Sequence, residues 1–197
     1  MKTMKKKNII SIKRYESPCG ALMLGSLSDR LCLCDWLVEK HRGLVDSRLQ
    51  HMLGSEFEEG TSEVIEQAAA QLDEYFTGRR RAFDVPLLFV GTGFQKAVWN
   101  ELLDIPFGQT ISYGEMARRI DMPKAVHAVA NANGANAISI FAPCHRVIGS
   151  DRSLTGYSGG LETAGAGRRI VVFLANPHSG ALTKISNHGC SEIHFML

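Results

Sequence analysis

Cys144 and His145 are neighbours in the run Pro143-Cys144-His145-Arg146-Val147. A cysteine attacks as its thiolate, so it needs a nearby group to take its proton. Near neutrality histidine is the side chain best suited to that task. A Cys beside a His is a weak signal alone, because a lone cysteine is ordinarily a buried, inert small hydrophobe. The surroundings strengthen it. Residues 136–142, Asn136-Ala137-Ile138-Ser139-Ile140-Phe141-Ala142, read as an apolar strand that delivers Pro143 and Cys144 to a turn. Ile148-Gly149-Ser150-Asp151 and Leu154-Thr155-Gly156-Tyr157-Ser158-Gly159-Gly160 follow, a glycine-rich stretch able to bring backbone amides close to a planar ligand. A hydrolase built on Cys144 and His145 fits poorly. An imidazole on the adjacent residue of a turn rarely reaches its neighbour's sulfur, and no oxyanion motif stands out.

The remaining cysteines, Cys19, Cys32, Cys34 and Cys190, bring the total to five, an odd number with no CxxC pair. Cys32 and Cys34 would share one face of a strand, and no histidines gather near them. A disulfide framework and a zinc site are both poorly supported, and no metal or other cofactor is expected. This usage fits a reducing cytoplasm. With 197 residues, 45% hydrophobic and 21% charged, the chain reads as a soluble protein of one large or two small domains. No apolar run approaches the roughly 18 residues that span a bilayer. The basic start, Met1 to Lys7, is not followed by an apolar stretch with a cleavage site, so a secretory signal is not expected. The net charge of +2 is too mild to announce a nucleic-acid partner. Its distribution is uneven, with Lys2, Lys5, Lys6, Lys7, Lys13 and Arg14 ahead of the first acid, Glu16, and a second knot at Arg79-Arg80-Arg81. Solvated tails and turns account for both.

The elements that must position Cys144 fall into two groups. Strands are expected over residues 9–15, 21–26 and 30–38, with a turn at Ser17-Pro18-Cys19-Gly20. Residues 39–60 are mixed. Thr61 is the expected cap of a helix whose apolar positions run Val64, Ile65, Ala68, Ala69, Leu72, Tyr75 and Phe76, ended by Gly78. Residues 82–90, interrupted by Pro86, read as an edge strand or extended linker. Beyond them residues 94–103 are amphipathic, and Pro106-Phe107-Gly108 breaks that helix. Ser112 can cap a helix over 113–120, with Glu115 placed for a capping box. Asp121-Met122-Pro123 leads to a third helix over 124–133, rich in small residues and ended by Gly134. Two short helices joined by a tight turn outline a helix-turn-helix. The expected domains are residues 1–90, an α+β unit; 91–175, which carries the Cys-His motif; and a tail, 176–197.

Pro143-Cys144-His145-Arg146-Val147 resembles the active-site motif of the methylated-DNA–protein-cysteine methyltransferases (O6-alkylguanine-DNA alkyltransferases). The likeness covers residues 94–161 and includes Phe107-Gly108-Gln109-Thr110-Ile111-Ser112-Tyr113, Asn136 and Tyr157-Ser158-Gly159-Gly160. It implies an α+β fold: a ribonuclease-H-like N-terminal unit, then a mostly helical, winged helix-turn-helix-like domain carrying the cysteine. It implies DNA repair in which Cys144 irreversibly takes the alkyl group from O6-alkylguanine, with O4-alkylthymine a further substrate class. A thiolate is the soft nucleophile that a saturated carbon requires. His145 would take the thiol proton through a water, Asn136 would orient that water, and the Tyr113 hydroxyl would donate to the departing guanine. Val147, Tyr157, Ser158 and Gly159 would hold the base. His127, Ala128, Asn131 and Arg146 would meet double-stranded DNA, and the damaged nucleotide would be flipped out at a cost of a few kcal/mol. The family implies a monomer in the cytoplasm, with no membrane partner.

The sequence departs from the family at three places. His127 stands where an arginine wedges into the base stack, and Ala137 where a proline usually follows the Asn. After Glu162 the family's glutamate behind the catalytic histidine has no counterpart, since the next acid is Glu192. That segment reads equally as divergence or as a frame change. A binding-only lesion sensor is the alternative reading, although the sensors lack the cysteine that this chain keeps.

Overall fold

Residues 10–36 carry their buried apolar side chains on three strands, and short turns fold these into an antiparallel meander. β1 (Asn8–Ser17), β2 (Gly20–Leu27) and β3 (Arg30–Trp36) correspond to the three expected strands, the first two longer and the third shorter than expected. The computed structural model describes residues 8–37 and 42–150. At the first turn Gly20 takes φ +132°, a region that a Cβ disfavours, and its carbonyl accepts from the Ser17 hydroxyl at 2.6 Å. The residues left mixed by the sequence resolve into α1 (Arg42–Leu53) and β4 (Ser55–Glu59). α1 buries only Val45 and Leu49 and leaves Leu44 in solvent, so it lacks the apolar stripe by which a helix is recognised. β4 lies parallel to β1, giving the sheet order β3-β2-β1-β4.

α2 (Glu63–Phe76) covers this sheet with Val64, Ile65, Ala68, Leu72, Tyr75 and Phe76. Its cap is Ser62 rather than the expected Thr61. The Ser62 hydroxyl accepts from the Ile65 N–H at 3.2 Å, while the Thr61 hydroxyl is spent on the Glu66 carboxylate. Gly78 follows the helix with φ +76°. Residues 82–90 form no strand of the sheet. They run along the outer edge of β3, where Leu31 N–H donates to the Pro86 carbonyl at 2.9 Å and Leu88 N–H donates to Leu31 at 2.8 Å. Pro86 has no N–H to give, and its position in this linker asks only for its carbonyl.

α3 (Gly93–Leu103) begins with a full capping box between Thr92 and Gln95. α4 (Tyr113–Arg119) has the expected cap, Ser112 accepting from Glu115 N–H at 3.0 Å. The box expected there is only half made. Glu115 turns its carboxylate to Arg118 at 2.6 Å and to Arg119, because a guanidinium holds a carboxylate more strongly than a neutral N–H does. α5 (Val126–Gly134) starts two residues later than expected and takes Gly134 as its last helical residue. β5 (Ile111–Ser112) and β6 (Val147–Ile148) pair in parallel.

Two cores result. One joins the sheet, α1 and α2; the other gathers Val98, Trp99, Leu102, Ile105, Met116 and Val129 around α3, α4 and α5. Full burial of each large aliphatic side chain contributes about 1.5–3 kcal/mol. Ala137, Ile138, Ile140 and Phe141 lie in the second half of the chain but pack in the first core. Among the described residues no helix is long and apolar enough to cross a membrane.

Candidate active site

The segment before Cys144 is not the expected strand. Ile140 has φ +74°, a left-handed backbone that a β-branched residue seldom adopts and that no strand accommodates. Asn136 imposes the bend. Its side-chain oxygen accepts from Ile138 N–H at 3.0 Å, and its amide donates to the Ala142 carbonyl at 2.8 Å. Asn136 thus closes a loop over residues 136–142 from the inside. The chain then enters a single 3₁₀ turn, Cys144–Arg146, with Cys144 N–H donating to Ala142 at 2.8 Å and Arg146 N–H to Pro143 at 2.9 Å. Val147 continues directly into β6 against Ile111.

A second asparagine, which sequence reasoning misses, holds the turn from the other side. Asn133, buried on α5, donates its amide to the Cys144 carbonyl at 3.1 Å and lies near the Tyr113 phenol. One signal could have found it: Asn133 shares the register of Val129 and Ala132, so it is a polar residue on the helix's buried stripe. Burial pushes the Tyr113 phenol up, partly offset by Asn133, and the nearby Cys144 sulfur adds to the rise. Tyr113 therefore stays a hydrogen-bond donor throughout the neutral range.

Cys144 is buried, 7% exposed. His145 is buried as well, and its Nε2 has no hydrogen-bond partner among the described residues. Desolvation, helped by the Arg146 guanidinium, pushes its imidazole down to about 3. His145 is therefore neutral at pH 7. Burial pushes the Cys32 thiol up to about 12 and the Cys34 thiol well above its ordinary value, so neither is an activated nucleophile. No group of three or more metal-binding side chains occurs among the described residues.

The structure brings Tyr113, Asn133, Asn136, Cys144, His145 and Val147 together. It places His127, Ala128 and Asn131 on the exposed face of α5, opposite the face that holds Cys144. One helix therefore presents a solvent stripe outward and a bracing amide inward. Arg146 corrects the expectation made for it. It is buried, donates to the Ile105 carbonyl at 2.7 Å and stacks over the Phe107 ring at 5.5 Å, so it braces the protein interior instead of standing open to DNA. Tyr157, Ser158 and Gly159 lie outside the described residues, as do Glu162 and all that follows.

Residues 12–89 match the family model described as 6-O-methylguanine DNA methyltransferase, ribonuclease-like domain, and residues 93–166 match its DNA binding domain. A methylated-DNA–protein-cysteine methyltransferase of Methanosarcina acetivorans is 42% identical over 149 residues, covering 75% of this chain and 89% of that protein. The chain belongs to the methylated-DNA–protein-cysteine methyltransferase family. The constitutive methyltransferase of Bacillus subtilis is 39% identical over 161 residues, 82% of this chain and 90% of its own length. Among solved structures, the Mycobacterium tuberculosis O6-methylguanine methyltransferase superposes with a TM-score of 0.70 at 37% identity, covering 88% of this chain and 98% of that one. The Mycobacterium tuberculosis enzyme in complex with DNA gives 0.68 at 37% identity, over 85% and 93%. The first domain model ends at residue 89, just past the stretch that lies on β3, and the second begins with α3 at residue 93; the α+β fold is the one the resemblance implied.

Proposed function

We propose that this protein repairs DNA by moving the alkyl group of O6-alkylguanine onto Cys144. The bond between the alkyl carbon and guanine O6 breaks, and a thioether to Sγ forms. The thiol proton passes to solvent through a water at the neutral His145, the departing guanine takes a proton from the Tyr113 hydroxyl, and Tyr113 regains one from solvent. The thioether is stable, so each molecule acts once. The observation that carries the reading is the 3₁₀ turn at Cys144, clasped by Asn133 on one side and bent into place by Asn136 on the other. Such a clasp fixes a nucleophile to within the few tenths of an ångström that direct displacement demands.

His127, Ala128 and Asn131 are the proposed contacts to duplex DNA, and Val147, Tyr157, Ser158 and Gly159 the contacts to the flipped base. Asn136 is the proposed brace of the water at His145. The substrate range extends in this reading to O4-alkylthymine. Residues 1–90, 91–175 and 176–197 are the proposed ribonuclease-like domain, alkyltransferase domain and tail of a cytoplasmic monomer. The test is intact-mass and peptide mass measurement after incubation with an O6-methylguanine duplex. One added methyl on the peptide containing Cys144 is expected; an unchanged protein mass would leave a lesion sensor in its place.

A further inference from the structure

The loop that Asn136 bends is gripped from outside by the N-terminal half of the chain. Arg48, on α1, donates to the Ala135 carbonyl at 2.7 Å, spanning 87 positions of sequence. Its guanidinium lies 5.2 Å from the Trp99 ring centre. Trp99 in turn donates its indole N–H to the Ala132 carbonyl at 2.8 Å. These two side chains therefore take up carbonyls of the last turn and cap of α5, where a cation also complements the helix dipole. The indole itself cannot shift toward the linker, since even a Cβ at Gly91 would stand 2.6 Å from its ring.

The other end of the loop is held by β3. Cys34 N–H donates to the Ala137 carbonyl at 2.8 Å, and Ser139 N–H donates back to Cys34 at 2.7 Å. Asp35, buried on the same strand, accepts from the Ser139 hydroxyl at 3.4 Å and attracts Arg48. Residues 135–139 are thus pinned at Ala135 by Arg48 and at 137–139 by β3, with Asn136 between the pins and Asn133 just ahead of them on α5. Each asparagine fixes a carbonyl within or just before the Cys144 turn.

We propose that Arg48 is a positioning residue for alkyl transfer, acting through Ala135 and Trp99 to hold Asn133 and Asn136 in register with Cys144. The proposal rests on the reading of Cys144 as the alkyl acceptor. It gives the N-terminal half of the chain a part in the reaction step. Because the effect runs through the turn and not through DNA, it must be equal for a free base and for a duplex.

The experiment compares the full-length protein with Arg48→Met and Arg48→Lys in single-turnover transfer from O6-benzylguanine free base and from an O6-methylguanine duplex. Hydrogen exchange over residues 133–142 is followed in parallel. For Arg48→Met the limiting rate at saturating substrate should fall about tenfold on both substrates, within the range that a small misplacement of reacting groups costs. The half-saturating concentration should hold steady, exchange over 133–142 should quicken, and Arg48→Lys should recover part of the rate. A limiting rate equal to that of the native protein, with only the melting temperature lowered, would overturn the proposal. So would a loss confined to the duplex. If the native protein transfers no alkyl group, the functional reading itself has failed. The clamp then stands if exchange over 133–142 quickens in Arg48→Met and falls if it does not.

Discussion

The side-chain amide of Asn133 donates to the backbone carbonyl of Cys144 across 3.1 Å, so the helix that faces solvent on one side holds the nucleophile's backbone on the other. Asn133→Ala removes one of the two donors to that carbonyl, which still accepts from Val147 N–H, so the loss is that of one hydrogen bond, about 0.5–1.5 kcal/mol. Chemical denaturation should show a stability loss of that size, and transfer to Cys144 should slow on free base and duplex together. A variant that loses stability but repairs at the native rate would reduce Asn133 to a packing role.

Cys144→Ser should abolish transfer and leave the fold intact. A serine hydroxyl is a poor nucleophile without strong activation, and the change exchanges a single atom at a buried position of the second core. Stability should stay within about 1 kcal/mol of the native protein, the scale of a mild substitution. Mass spectrometry after incubation with alkylated duplex gives the answer. Any methyl retained by the serine variant would move the acceptor elsewhere.

His145 makes folding sensitive to acid. Its folded value is depressed to about 3, while in the unfolded chain it titrates near its ordinary 6.5. The contribution is complete above pH 6.5. Between 6.5 and about 3 the unfolded chain binds a proton that the folded chain refuses, so stability falls as pH falls, by about 1.4 kcal/mol per unit at the steepest. Urea melts at pH 7 and pH 5 should show the loss, and His145→Gln should flatten that part of the profile. A native profile flat over this interval would mean that the imidazole is not buried neutral.

A neutral His145 also supplies no cationic partner for a Cys144 thiolate. Alkylation of Cys144 by a small thiol reagent should therefore keep rising through pH 8, read as the difference between the native protein and Cys144→Ser. A plateau already reached at pH 6 would show that another group activates the thiol.

His127 stands on the exposed stripe of α5 with Ala128 and Asn131. His127→Arg adds charge and reach there. Duplex binding should tighten about two- to fivefold, the worth of one exposed cation–π contact, and duplex repair should quicken to a similar degree. Repair of the free base should not change, because it needs no flipping. If the new guanidinium reaches a phosphate, the salt dependence of binding should steepen by about 0.9 in slope. Equal acceleration on both substrates would place the effect at the nucleophile.

The local part of the architecture is readable from the sequence. β1 and β2 declare themselves as β-prone runs on either side of the Ser17–Gly20 turn, α2 by its 3.6-residue apolar pattern, and Ser112 declares the start of α4 by its type and spacing. α1 is not readable, because it buries just Val45 and Leu49 and owes its place to β4 and the sheet. The loop over 136–142 misleads for a related reason. Its residues are apolar because they fill the N-terminal core, not because they form a strand, and the bend depends on Asn136 and on a left-handed Ile140. At the site, Cys144, His145, Asn136 and Tyr113 follow from their motif and do come together. Asn133 and Arg48 escape notice because their importance lies in partners 11 and 87 positions away, which no local pattern encodes. Arg146 misleads because a charged residue beside a nucleophile suggests a ligand, whereas here Ile105 and Phe107 absorb it.

The outer edge of β3 is occupied twice, at Leu31 by the linker and at Cys34 by residues 137–139. An uncovered strand edge is a template on which a second molecule can add its own backbone. The segment that shields this edge near Cys34 is also the one that sets the reactive turn. A lesion that pulls residues 137–139 away from Cys34 therefore does two things at once: it misplaces the sulfur, and it exposes a stretch of β3 open to self-association. For lesions at this contact, loss of repair and loss of solubility are thus coupled, whereas a change confined to the sulfur leaves the strand edge covered.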